Sequence, residues 1–170
     1  MSHMKTISHT TTVARRRQSG FSLLEVLVAL LVLSIGLLGL AALQTMGLKF
    51  NTQSYQRTQA VLQAYDIIDR MRANPTGMAA GLYNTVGIND AAPSLPNCPC
   101  SSTQMKDYDL SQWKNAIADL LAQGQGAVCR GTLNAALDTC TDPGTGTVFT
   151  VGIQWIENDL PMRMQVVAQL

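Results

Sequence analysis

Hydrophobic positions follow three different patterns along this chain. Residues 21–43, FSLLEVLVALLVLSIGLLGLAAL, form an apolar run of 23 residues with a single charge, Glu25. At about 1.5 Å per residue a helix of that length crosses a hydrocarbon core of about 30 Å with some tilt. Residues 44–74 keep the helical period but change in composition. Val61, Tyr65, Ile68 and Met71 recur at spacings of 4, 3 and 3, while Gln56, Arg57, Gln59, Gln63, Asp66, Asp69, Arg70 and Arg72 mostly face elsewhere. Pro75 and Gly77 then end the pattern. The two stretches predict one helix of about 50 residues, apolar all round in its first half and amphipathic in its second. Gly36, Gly39 and Gly47 mark positions where it could bend or pack closely against another helix.

The third pattern lies beyond the helix. Residues 76–106 carry Gly77, Gly81, Gly87, Pro93, Pro96 and Pro99 without a sustained period and read as a long loop. Asp109 with Gln112 resembles a capping box, and Leu110, Trp113, Ile117, Leu120 and Leu121 recur at helical spacing, predicting a short helix over 110–122 that buries Trp113. The period then shortens to two. Phe149, Val151, Ile153 and Trp155 are apolar at the odd positions of 147–156, and Met162, Met164, Val166, Ala168 and Leu170 at the even positions of 162–170, as expected for two strands. The connection over 157–161 suits an antiparallel hairpin, one face of which would cover the amphipathic helix half. A further strand near 127–133 is compatible with the sequence, but Gly131 and residues 133–140 fit helix or loop equally well. The expected class is α+β, with four segments: a leader over 1–20, an apolar helix over 21–44, an amphipathic half over 45–74 and a globular head over 75–170.

The leader changes the picture. Residues 1–20 hold Lys5, Arg15, Arg16 and Arg17, no acid, and end in Gln18-Ser19-Gly20 against the apolar run. A secretory signal peptide places its small-residue cleavage site after a short apolar core; here the small residue precedes a long one. Cleavage after Gly20 would remove the basic leader and keep the helix. Glu25 would then stand one turn from a new N-terminus, where the helix dipole and a free α-amine favour a carboxylate. An ionisable group in such a run is otherwise costly. The basic leader also sets topology, holding its own end in the cytoplasm and sending the head to the far side.

Arg-Arg-Arg-Gln-Ser-Gly followed by FSLLEVLVALLVLS resembles the class III signal of type IV pilins and type II secretion pseudopilins. A plain single-pass anchor with a chance acid accounts poorly for that combination. The resemblance implies a prepilin peptidase that cuts after Gly20 and methylates Phe21. It makes Glu25 the acid that aligns subunits by neutralising a neighbour's terminal amine. It also implies the pilin-like fold: one long N-terminal helix packed on a C-terminal antiparallel sheet, with a disulfide-stapled loop and a short second helix.

Charge and chemistry exclude more than they suggest. Without the leader the chain has 8 Lys and Arg against 11 Asp and Glu, a net −3 with scattered bases, so nucleic acid is not an expected partner. His3 and His9 both lie in the leader, which removes Ser-His-Asp and Cys-His catalysis and His-ligated zinc from the rest. Asp107 and Asp109 could pair as acid and base, but helix capping explains them. No phosphate-cradling glycine motif occurs. The reading is therefore not an enzyme, with no cofactor and no metal. Cys98, Cys100, Cys129 and Cys140 all fall on the oxidising side, where two disulfides are expected. Of three connectivities, Cys98 with Cys100 is the least favoured because one intervening residue closes a strained ring. The expected bridges would staple the long loop to the head. The Cys-Pro-Cys spacing lacks the two-residue spacer of a redox motif or zinc knuckle.

LLGLAALQ, then DRMRANP at the helix end, Tyr108-Asp109-Leu110 with Trp113, and Ile153-Gln154-Trp155 resemble the minor pilins of type IV pili most of all. That resemblance implies a low-abundance subunit that primes pilus assembly and sits in a tip complex, supporting twitching motility and adhesion. Its partners would be other minor pilins, the major pilin, prepilin peptidase and the inner-membrane assembly machinery. Its location would be the inner membrane, single-pass with a periplasmic head, and then the cell-surface pilus. A type II secretion pseudopilin and a membrane-anchored adhesion or binding module remain alternatives.

Overall fold

The computed structural model describes residues 20, 22–97, 101–141 and 146–170. In chain order the elements are α1 (Leu23–Ala73), α2 (Pro75–Ala79), β1 (Thr85–Val86), α3 (Ser102–Leu120), β2 (Gln125–Arg130), β3 (Val148–Glu157) and β4 (Leu160–Gln169). They fall into two compact units, Met1–Met46 and Gly47–Leu170. In the first unit α1 buries nothing: every described side chain is exposed. Its 18-residue window of mean hydropathy 2.8 makes α1 long and apolar enough to cross a membrane. Helix α1 is uninterrupted through Gly36, Gly39 and Gly47, and a Cβ at any of them would meet open space.

The second unit is built on a four-stranded sheet of order β1-β2-β3-β4, antiparallel throughout. Period-two alternation places Phe149, Val151, Ile153 and Trp155 in the core and leaves the apolar row of β4 half-buried against it. The β3–β4 hairpin turns through Asn158 and Asp159 at φ 51° and 62°, the left-handed pair that a two-residue turn of I′ geometry needs and that Asn and Asp tolerate. Residues 127–133 resolve as β2 over their first half.

Helix α1 covers the sheet with a stripe one step round from the predicted one. Ala60, Ala64, Ile67, Ile68 and Met71 are buried, whereas Val61 and Tyr65 are exposed. The small apolar surface of the two alanines gave them little weight in the pattern. Helix α3 joins the same core through Leu110, Trp113, Ile117 and Leu121, with Leu120 exposed. Trp113 donates from Nε1 to the Gln63 carbonyl at 2.8 Å, and its ring lies where a Cβ on Gly126 would stand 2.5 Å away, so glycine is required there.

Three expectations need correction. Helix α3 begins at Ser102, well before residue 110, because Ser101 and Gln104 form the capping box: Ser101 Oγ accepts from Gln104 N, and Gln104 Oε1 accepts from Ser101 N. Asp109 and Gln112 are mid-helix, so neither Asp107 nor Asp109 is a cap. Residues 76–106 are not one loop, since they hold α2, β1 and the first turn of α3. Finally, Cys129 and Cys140 bond to each other, with Cα atoms 5.5 Å apart, and so neither is available to staple the 76–106 segment through Cys98 or Cys100, which lie outside the described residues. The loop this disulfide closes is its own, over 130–139, and Leu137 and Leu133 from it pack over Gly152 where a Cβ would clash.

Candidate functional site

The processing segment comes first. Gly20 is exposed and non-helical, Phe21 lies outside the described residues, and α1 starts two residues later. The Ser22 carbonyl accepts from the amides of Glu25 and Val26 at 3.0 and 3.2 Å, closing the first turn. Glu25 is the acid of that turn, on an exposed surface, where the macrodipole favours it. Gly20 thus stands just ahead of a helix whose described side chains up to Met46 are all exposed.

At the other end of α1 the sequence DRMRANP folds into a polar junction between three helices. Asn74 caps α2: its Oδ1 accepts from Gly77 N at 3.1 Å, with Pro75 at the first helical position, where no N–H is needed. Its Nδ2 donates to Tyr83 Oη at 3.1 Å and to the Ser102 carbonyl at 2.8 Å. Tyr83 donates in turn to Asp109 Oδ2 at 2.9 Å. Arg70 reaches Asp66 at 2.8 Å, Gln112 Oε1 at 3.1 Å and Asp109 Oδ1 at 3.7 Å. Burial raises the Tyr83 pKa above the usual phenol value, opposed by the Asn74 hydrogen bond and reinforced by Asp109. Burial likewise raises Asp109 from 3.8, against the lowering by Tyr83 and Arg70. Each group is satisfied within the junction, so its chemistry is structural: it locks α1, α2 and α3 at fixed angles.

A second anchor holds the segment after β1. Lys114 is buried and donates from Nζ to the carbonyls of Gly87 and Asp90 at 2.8 and 2.6 Å, while Asp90 Oδ2 accepts from Gly87 N at 2.6 Å. Desolvation lowers the Lys114 pKa, and Asp90 opposes that. The fastening that the sequence assigned to cysteines is performed here by an ammonium group. Sequence reasoning gave no role to Arg70, Asn74, Tyr83 or Lys114. Asn74-Pro75 was a readable cap signal, whereas nothing around Tyr83 or Lys114 separated them from an ordinary loop tyrosine and a solvated lysine.

The sites are therefore distributed. Gly20 and Glu25 belong to the first unit, the Cys129–Cys140 disulfide belongs to the second, and Phe21, Cys98 and Cys100 lie outside the described residues. Among the described residues no group of three or more His, Cys, Asp or Glu side chains is placed to hold a metal. Comparison with family models gives two contiguous matches: the prokaryotic N-terminal methylation motif over residues 15–41, and type IV pilin Tt1218 over residues 42–111. Searches of curated proteins and of solved structures find no match to the chain.

Proposed function

The chain carries the N-terminal methylation motif and the pilin domain of the type IV pilin family, and from that premise we propose that it is a minor pilin, of the PilV kind, that primes assembly of a type IV pilus. Prepilin peptidase cuts after Gly20 and methylates Phe21. The mature α1 sits in the inner membrane with the head in the periplasm and then enters the filament, where Glu25 meets a neighbour's terminal amine. Other minor pilins, the major pilin and the inner-membrane assembly machinery are its partners, and its place is a tip complex that supports twitching motility and adhesion. No step of this role is enzymatic.

The observation that supports this reading is the pairing of Glu25 with an otherwise uncovered helix. Every described residue of α1 up to Met46 is exposed, a surface that needs lipid or other helices around it. A carboxylate in the first turn gains from a cation only when such helices bring one. A clean deletion scored for surface pili, twitching and protein secretion tests the reading. Lost piliation with normal secretion supports it; lost secretion with normal piliation makes the protein a type II secretion pseudopilin instead.

A further inference from the structure

Strand β4 is an edge of the sheet: β3 pairs with it on one side and, among the described residues, no strand pairs with it on the other. The phase of the pairing is set where Leu170 N donates to the Thr147 carbonyl at 2.7 Å. Through the unbroken register from Val148↔Gln169 to Glu157↔Leu160, the even residues of β4 therefore exchange backbone bonds with β3. The odd residues Arg163, Gln165, Val167 and Gln169 turn their N–H and C=O groups away from the sheet, where no described group pairs with them. All four residues are exposed. Edges of this length are ordinarily blunted by a bulge, by charges or by a covering element. Strand β4 runs ten residues without a bulge, Pro161 stands at its hairpin end, and Arg163 is its single charge. Its side chains run back over the sheet and leave the edge open: Gln165 Nε2 donates to the Asn134 carbonyl at 3.0 Å and Arg163 Nε to Gln154 Oε1 at 2.7 Å. Arg163 forms no ion pair among the described residues, and Asp138 feels its charge from beyond ion-pair distance. Val167, on the same face, is 65% exposed.

We propose that the outer edge of β4 takes an extended segment of a partner protein as a fifth, antiparallel strand, with an acidic side chain beside Arg163 and an apolar one beside Val167. Main-chain bonds to the four odd residues supply the affinity, and the two side chains supply the choice of partner. Arg163 and Val167 are four residues apart on one face, so the antiparallel partner carries its apolar residue four positions before its acid. Strand β4 has no acid of its own, so a second copy of it offers Arg163 no counter-ion. That the partner is a pilus component rests on the pilin reading above; the strand site does not.

The test reads amide hydrogen exchange by NMR on the full-length protein in detergent micelles. The probe is the capped peptide Thr-Thr-Val-Thr-Thr-Thr-Glu-Thr; the controls are its Glu-to-Lys analogue and a form N-methylated on the three amides that would face β4. In the free protein the amides of Met164, Val166 and Ala168 should be protected and those of Arg163, Gln165, Val167 and Gln169 should exchange fast. The probe should slow the second set by about tenfold or more, the Lys analogue should bind several-fold more weakly, and the methylated form should not bind. Val167→Pro removes an outward N–H and should abolish binding while Met164 and Val166 stay protected. Arg163→Glu should reverse the preference in favour of the Lys analogue. In cells, Val167→Pro should remain at mature size in the membrane while its content in sheared pili falls several-fold. Odd amides already protected in the free protein, or unmoved by the probe, overturn the site. Equal binding of the two charged peptides overturns the acidic partner, and so does odd-amide protection that rises with protein concentration alone, which makes a second copy the occupant. Wild-type protein absent from pili, with the probe still bound, overturns the pilus assignment but not the strand site.

Discussion

Asn74→Ala is the substitution that most directly tests the junction at the end of α1. Asn74 is 5% exposed and makes three hydrogen bonds, accepting from Gly77 N and donating to Tyr83 Oη and the Ser102 carbonyl. Alanine removes all three and the cap of α2. At about 0.5–1.5 kcal/mol per net hydrogen bond the loss should be about 2–4 kcal/mol. The Ser102 carbonyl has a second lone pair and Tyr83 keeps Asp109, so the upper half of that range is the less expected. Asn74→Asp keeps the acceptor for Gly77 N but loses both donated bonds and sets a buried carboxylate against the Tyr83 Oη and Ser102 carbonyl acceptors near Asp109, so it should cost at least as much as alanine. Urea unfolding of the full chain in micelles, followed by the near-ultraviolet circular dichroism of its buried tyrosine and tryptophan side chains, gives both values. A loss below about 0.5 kcal/mol for Asn74→Ala, the scale of an ordinary surface change, would refute the claim that this junction holds the helices together.

Three further outcomes are expected. Cys129→Ser should lower stability by about 3 kcal/mol through reopening a loop of about 12 residues, read from urea midpoints with Cys140 alkylated; an unchanged midpoint would show that the loop is held without its bridge. The Asp109 carboxyl should titrate above 3.8 in carbon-detected NMR. The native state then binds a proton that the unfolded chain releases between 3.8 and the raised folded value, so this group stabilises the fold as pH drops through that window, and Asp109→Asn should abolish that part of the pH slope. Glu25→Val should leave mature-size protein in the inner membrane and spare the head, yet reduce its content in sheared pili; normal incorporation would reject pairing with a neighbour's amine.

Strongly periodic elements were legible because apolar spacing marks them, although on α1 the buried stripe runs through Ala60 and Ala64 rather than Val61 and Tyr65. The α1 helix, the Trp113 helix and the β3–β4 hairpin all followed from spacing, and Phe149 to Trp155 faced the core as alternation required. Errors arose where polar groups decide. Helix α3 starts early because Ser101 and Gln104 satisfy each other's backbone, a four-residue signal hidden in a stretch read as loop. Asp109 looked like a cap and is instead a buried acceptor for Tyr83, 26 residues away in sequence. Lys114 is the plainest case: a lysine on a helix reads as solvated until the fold brings the Gly87 and Asp90 carbonyls to it. The cysteine count indicated bridging, but pairing depends on distance, and the hairpin-like return of Leu133 to Cys140 sets Cys129 beside Cys140.

The account's central claim is that this chain is a processed filament subunit. Mass spectrometry of its N-terminal peptide, recovered from sheared pili, tests that claim most directly. The account predicts a chain beginning at Phe21 with one methyl group on its amine and no trace of residues 1–20. A protein found only in the membrane with its basic leader intact, in cells whose other pilins are processed, would contradict it.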